Sequence, residues 1–299
     1  MSNAVYVNIT SEGARVNPQI LDSEEHALSM FMLWRSNDTT MQAEVVGIER
    51  VKYYLNTSDG QQWKEENALV VEFGPLLGYV PLSETGLRNE RQMFRYIGRY
   101  IAVIPDRYNP NSDGKALLLF SRQRAIELMQ GANLNQLQVG ETWTGVVTMR
   151  TAGGYMVNVA GYRAWLPMSL VSYSLSKATD LEIGEMIQVK ITDRVKRQEG
   201  TLRLVVSRRD AVPNPFDIHG NKYAAGGSYL AQMVTLSGRS GYATLNDGVQ
   251  IRVVPGRTER DALRPGTRVL VRIRRVNAQE KVLEGTIAQV ISQPKEQLA

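Results

Sequence analysis

The chain has no cysteine in 299 residues. That excludes a disulfide framework, a thiolate metal site and a thiol nucleophile. Histidine is almost as scarce: His26 and His219 are the only two, and they stand in different segments. Neither is followed by a metal-ligating residue three or four places on, so the usual zinc spacings are missing. No run approaches the roughly 18 apolar residues of a membrane-spanning helix. The opening stretch lacks a basic segment leading into an apolar core, so it does not read as a secretory signal. With no cysteine either, the expectation is a cytoplasmic protein. The Gly-x-x-x-x-Gly-Lys-Ser/Thr loop and the Gly-x-Ser-x-Gly elbow are absent. Acids such as Glu72 and Asp193 are isolated in sequence. The expectation is a protein that is not an enzyme and takes no cofactor and no metal.

What is there belongs to ordinary globular protein, with 43% apolar residues and a net charge of +5. The charge is unevenly placed. Residues 1–136 hold 13 Lys and Arg against 16 Asp and Glu, whereas residues 222–299 hold 12 against 6. A basic last third invites an anionic partner. A solvated surface can also have this composition.

Alternating apolar patterns recur in three blocks. In the first, strand signals run over 41–51, 68–73, 78–82, 100–105 and 116–120, with a polar insertion at 56–67. Arg88, Arg91 and Arg95 fall on a short helix before the fourth strand. In the second they run over 142–150, 155–160, 163–167, 186–195 and 201–207. In the third they run over 228–237, 241–245, 250–254, 268–276 and 282–290, with a hairpin turn at Asn246-Asp247-Gly248. Ahead of them lies an arm in which Val5, Val7 and Ile9 alternate and Ala27, Phe31 and Trp34 recur at helical spacing. This helix either packs on the first barrel or docks a partner. The organisation expected is an arm (1–39), a first barrel (40–126), a linker with helical character (127–138), a second barrel (139–211), a Pro/Asn/Gly-rich linker (212–227), a third barrel (228–292) and a tail (293–299). The fold class is all-β: three tandem five-stranded barrels of OB type behind a strand/helix arm.

The second block carries more. It contains Gly153-Gly154, Trp165-Leu166-Pro167-Met168-Ser169, Leu181-Glu182-Ile183-Gly184 and Val206-Ser207-Arg208-Arg209. In this it resembles the RNA-binding repeat of the largest small-subunit ribosomal protein, the S-one domain. The first block shares Gly78-Tyr79-Val80-Pro81-Leu82-Ser83 and Phe120-Ser121-Arg122, and the third keeps only the strand rhythm. The resemblance implies single-stranded nucleic acid lying across the second and third strands of a barrel, with aromatics stacking bases and basic residues holding phosphates. It carries Arg203 over as the basic residue of the closing strand. The stacking positions fall on Gly153 and Met156, which are not aromatic. The first block, with Val70, Val71 and Glu72 at the matching places, is expected to serve architecture.

Binding a single strand needs flat π-faces and a positive groove. Tyr155, Tyr162 and Trp165 stand on two adjacent strands, with Arg150, Arg163 and Arg203 nearby; Trp165 is either core or platform, and Tyr155 is expected to be exposed. In the third block, strand alternation puts Arg268, Arg272 and Arg274 on one face, about 6–14 Å apart at strand rise. Arg252 and Arg257 extend the set. These arginines read as a phosphate track or as charge guarding a strand edge. The leading expectation is a non-enzymatic RNA or single-stranded DNA binding protein of low sequence specificity. The rival is a structural or protein-interaction component of a larger assembly, translation-associated or virus- or mobile-element-encoded, engaged through the arm or first barrel.

Overall fold

A computed structural model describes residues 4–57, 60–109, 117–173, 181–196, 202–237, 240–254 and 263–293. It is built mostly of strands, with few helices. The arm supplies β1 (Ala4–Val7), β2 (Pro18–Ile20) and helix α1 (Glu24–Ser36). The first barrel is β3 (Met41–Thr57), β4 (Gly60–Phe73), β5 (Leu76–Pro81), β6 (Tyr100–Asn109) and β7 (Leu117–Ser121), followed by helix α2 (Arg122–Asn133). The second is β8 (Thr142–Thr151), β9 (Gly154–Val159), β10 (Tyr162–Pro167), β11 (Met186–Lys196) and β12 (Leu202–Ser207). A short helix α3 (Pro215–His219) precedes the third, formed by β13 (Ser228–Ser237), β14 (Ser240–Leu245), β15 (Gln250–Val254), β16 (Arg268–Asn277) and β17 (Val282–Ser292).

One pairing scheme is used three times. The first strand pairs with the second and the fourth, the fourth with the fifth, and the third runs parallel to the fifth: Gly78 faces Leu118, Ala164 faces Leu204 and Ile251 faces Leu283. The second and third circuits close into barrels. In the first, β3 pairs with β6 from Met41 opposite Val103, and β1 and β2 are added beside β3. The motif glycines are fixed by these close approaches. A Cβ on Gly78 would meet the Phe120 ring at 2.2 Å, and one on Gly154 would meet the Leu166 carbonyl oxygen at 2.2 Å.

α1 packs into the first core through Ala27, Phe31 and Trp34, as one of its two sequence readings had it. Phe31 meets Phe73 and Phe120 edge-on, with centroids 6.1 and 5.2 Å apart. Two sequence expectations are corrected and one is extended. The polar stretch 56–67 does not interrupt the strands as an insertion: β3 runs to Thr57, β4 begins at Gly60, and the two pair from there back along their length. Cross-strand pairs carry that pairing: Tyr54 packs on Trp63 with centroids 3.5 Å apart, and Arg50 pairs with Glu65 at 2.9 Å. The segment 127–138, expected as a linker with helical character, begins inside α2, which runs to Asn133. α2 buries Ala125 and Met129 against Ile9, Ala102 and Ile104, and its Gln130 side chain donates to the Gly161 carbonyl at 2.9 Å. The loop 212–227 contains α3, where Asn214 caps, Pro215 starts the turn and Phe216 packs on the third core.

The arm also joins the first two barrels. Ser11 and Glu12 are buried between them. The Ser11 hydroxyl accepts from the Ala160 amide at 2.9 Å, and the Glu12 amide donates to Asn158 Oδ1 at 3.0 Å. The Glu12 carboxylate takes a two-pronged ion pair from Arg122, at 2.6 Å from Nε and 2.9 Å from Nη2. Burial works against the Arg122 charge, but Glu12 outweighs it and raises its pKa above the ordinary value. Glu12→Ala leaves Arg122 charged, buried and unpaired. It should cost about 3–5 kcal/mol in chemical denaturation.

The Ser of the first Pro-x-Ser motif has a structural partner. The Ser83 amide and hydroxyl both donate to Glu66, at 3.0 and 2.8 Å, and Tyr53 and Lys64 share the same carboxylate. Burial pushes the Glu66 pKa up, but these donors prevail and hold it below its ordinary value. Its contribution to stability is therefore present above the unfolded carboxylate range near about 4.3 and is lost as pH falls through the lowered folded value. Glu66→Gln should remove that part of the acid limb in pH-dependent denaturation.

Candidate nucleic-acid interface

Strand parity divides the aromatics of the second barrel. On β9, Tyr155, Val157 and Val159 point inward, and on β10 so do Ala164 and Leu166. Tyr155 is completely buried and pairs with Leu166. The expectation that it is exposed is therefore wrong. Tyr162 is corrected in part: half-buried, it packs on the core, and its hydroxyl donates to the Gln130 carbonyl at 3.2 Å. Burial raises its pKa. It serves the junction with α2. The alternation itself carried this signal, since Tyr155 shares its parity with two valines.

The opposite parity faces outward. Trp165 is half-buried and stands between Met156 on β9 and Val205 on β12. A Cβ on Gly153 would lie 3.6 Å from the Trp165 ring, an ordinary contact, so the glycine sits beside the indole. Arg163, one outward position along β10, is exposed and pairs with Asn158. Arg203, one outward position along β12, is exposed and pairs with Val195. None of the direct partners Asn158, Met156, Val205 and Val195 is acidic; Asp193 stands one strand further, opposite Val205. The structure thus brings Arg163, Trp165 and Arg203 onto one face, with Met149 and Met156 extending the apolar strip.

The first barrel presents a different surface at the equivalent place. There Glu72 faces Leu77 and Val70 faces Tyr79. The Tyr79 hydroxyl is bonded to Glu49, and burial followed by that carboxylate raises its pKa. On the third barrel the equivalent strands carry exposed Tyr242 directly opposite exposed Arg252. Sequence reasoning missed Tyr242, although Ala243 and Leu245 mark the inward parity beside it. Arg268, Arg272 and Arg274 are exposed on β16. They do not join Arg252: β17 lies between them, with Glu284 opposite Arg252 on one side and Arg275 on the other. Arg257 lies outside the described residues. Among the described residues no group of three or more His, Asp or Glu side chains gathers as a metal site would, and no helix is long and apolar enough to cross a membrane.

No protein-family model matches the chain. Three ribosomal proteins are similar to it in sequence. Small ribosomal subunit protein bS1 of Streptococcus pneumoniae is 24% identical over 245 residues, 78% of this chain and 60% of that protein. The bS1 of Staphylococcus saprophyticus is 24% identical over 192 residues, 62% of this chain and 47% of that protein. The bS1 homolog of Bacillus subtilis is 23% identical over 243 residues, covering 77% and 62%. The chain therefore spans about half to three fifths of the relatives it matches. Among solved structures, a multidomain protein with nucleic acid binding domains from Streptococcus pneumoniae aligns with 86% of this chain and 76% of its own, at 11% identity and a TM-score of 0.21. The solved chain Drosophila Unr CSD456 aligns with 84% of this chain and 96% of its own, at 11% identity and a TM-score of 0.17. The resemblance to S-one proteins read from the motifs thus extends over most of the chain.

Tyr155 and Trp165 should separate cleanly on mutation. Tyr155→Ala opens the second core and should lose about 3–5 kcal/mol of stability in chemical denaturation. Trp165→Ala, on the outer face, should lose clearly less.

Proposed function

We propose that this relative of bS1 binds single-stranded RNA, without catalysis, on the outer face of its second barrel. The observation that supports this best is the placement of Trp165 on β10 with Arg163 and Arg203 beside it. An indole flanked by guanidinium groups offers a base a π-face and its phosphates a counter-charge. Tyr242 and Arg252 repeat the pairing on the third barrel, and Arg268, Arg272 and Arg274 supply a phosphate track on another side of it. Such contacts read little sequence, so specificity is low. RNA is preferred over DNA because the sequence relatives are named as ribosomal proteins, and a cytoplasmic setting goes with that reading. The first barrel, whose equivalent face carries Glu72 and Glu49, does not bind through that face.

The test is fluorescence anisotropy with labelled single-stranded RNA of about 20 nucleotides, longer than the roughly 4–16 one barrel covers. A matching DNA and a duplex are run beside it at several salt concentrations. Single-strand binding should weaken as salt rises. Trp165→Ala should lose about 1–3 kcal/mol of binding. Arg163→Ala and Arg203→Ala should each lower the slope of log affinity against log salt by about 0.7. No binding to any of the three at low salt overturns the reading in favour of a protein-interaction role.

A further inference from the structure

The binding face of the second barrel does not end in open solvent. Beyond Met156 and Arg163 it forms one wall of a cleft whose other wall is the first unit, with a volume of about 510 Å³. That lies within the roughly 300–1,000 Å³ typical of small-molecule pockets. Arg15, Arg95, Arg99 and Tyr100 line the first-unit side.

The charge in this cleft is one-sided. Glu12 is the only carboxylate among its lining residues, and both of its oxygens are engaged by Arg122. Among the described residues, Arg15, Arg95, Arg99 and Arg163 have no salt bridge. Two of the four are held in place. The Arg15 guanidinium lies 4.2 Å over the centre of the Tyr100 ring, which orients its plane and leaves its N–H edge free. Arg99 spans the cleft and donates to the Thr148 carbonyl at 3.3 Å. Val146 and Met149 add apolar wall. Converging guanidinium groups beside an apolar wall suit a phosphate attached to a flat, partly apolar group.

We infer that this cleft is a composite nucleotide pocket, in which one nucleotide of a single strand seats its phosphate on Arg15, Arg95 and Arg99 of the first unit. The inference rests on the proposed RNA-binding face. Arg163 belongs to both places, so a strand crossing Trp165 reaches the cleft without leaving the barrel surface. That continuity favours a nucleotide over an acidic peptide, which would answer the charge but has no use for the indole beside it. The first unit, expected from its sequence to be architectural, thereby contributes half of a binding site.

The experiment uses the whole chain and a labelled single-stranded RNA of about 12 nucleotides, within the site size of one barrel. R15E/R95E reverses two exposed charges that make no hydrogen bond between the barrels. R15K/R95K keeps the charge. W165A reports the outer face, and thermal unfolding confirms that each variant folds. The expected result is binding weaker by about tenfold or more for R15E/R95E, with a salt slope lower by about 1.4 for two lost phosphate contacts. R15K/R95K, which keeps the charge but loses the stacked planar guanidinium, should bind more weakly than the parent and more tightly than R15E/R95E. If R15E/R95E binds like the parent while W165A does not, the cleft assignment is overturned and the outer face stands. If the parent binds no RNA, or if W165A and R15E/R95E both bind as tightly as the parent, the RNA-binding reading itself falls, and the cleft with it.

Discussion

The arrangement of the first two barrels depends on one buried ion pair. Glu12 comes from the arm and Arg122 from the start of α2, and between them they tie the arm to the end of the first barrel. The backbone around Glu12 then meets the second barrel, through Ser11 at Ala160 and the Glu12 amide at Asn158. A buried pair of this kind adds little net stability against an apolar substitute, because desolvating two charges is expensive. Its effect is positional. Once formed, it cannot slip without leaving a charge unpaired, so the loop that carries it is held in register between two cores.

That constraint shapes the electrostatics of the neighbouring cleft. The one carboxylate that lines it is already neutralised, and Gly13 beside it lies so close to the second barrel that a Cβ there would meet Val146 at 2.9 Å. Arg15, Arg95 and Arg99 on one wall and Arg163 on the other have no salt bridge among the described residues. Asn158, which occupies an outward position on β9, is covered by the arm and accepts from Glu12 and Gly161. Part of the second barrel's outer face is thus given to the junction, and the remainder opens onto the cleft.

One strand scheme carries three different surfaces here. The first barrel puts Glu72 and a Tyr79–Glu49 pair where the second puts Trp165 and Arg163 and the third puts Tyr242 and Arg252. The core requires only inward parity, so the outward positions vary without cost to the fold. Much of this was legible in the sequence. Alternation located the fifteen barrel strands, and the Pro-x-Ser pattern marked the end of the third strand in two barrels, while Gly78 on the third strand of the first barrel and Gly154 on the second strand of the second meet ring or backbone atoms that exclude a side chain. The site was less legible. Tyr155 and Trp165 look equivalent by composition, and only their pairing with Leu166 and Met156 assigns one to the core and the other to the surface. The charged hairpin at 56–67 read as an insertion because its stability comes from cross-strand pairs such as Tyr54 with Trp63, which no local window contains.

The amino-acid sequence alone determined the all-β class, the three-fold repeat, the glycines that admit close strand approach and the helical spacing of Ala27, Phe31 and Trp34. Each of these is a local periodicity or a steric demand of a single residue, so neighbouring positions suffice to state it. Tertiary structure decided which arginines share a surface. Arg15, Arg99 and Arg163 are far apart in the chain and meet only because the Glu12–Arg122 pair and the Asn158 hydrogen bond hold two barrels against one loop. Arg252 and Arg272, which the sequence placed together, are parted because β17 pairs between their strands. Long-range placement of charge follows from strand order and interface geometry, and neither is written in the spacing of the residues concerned.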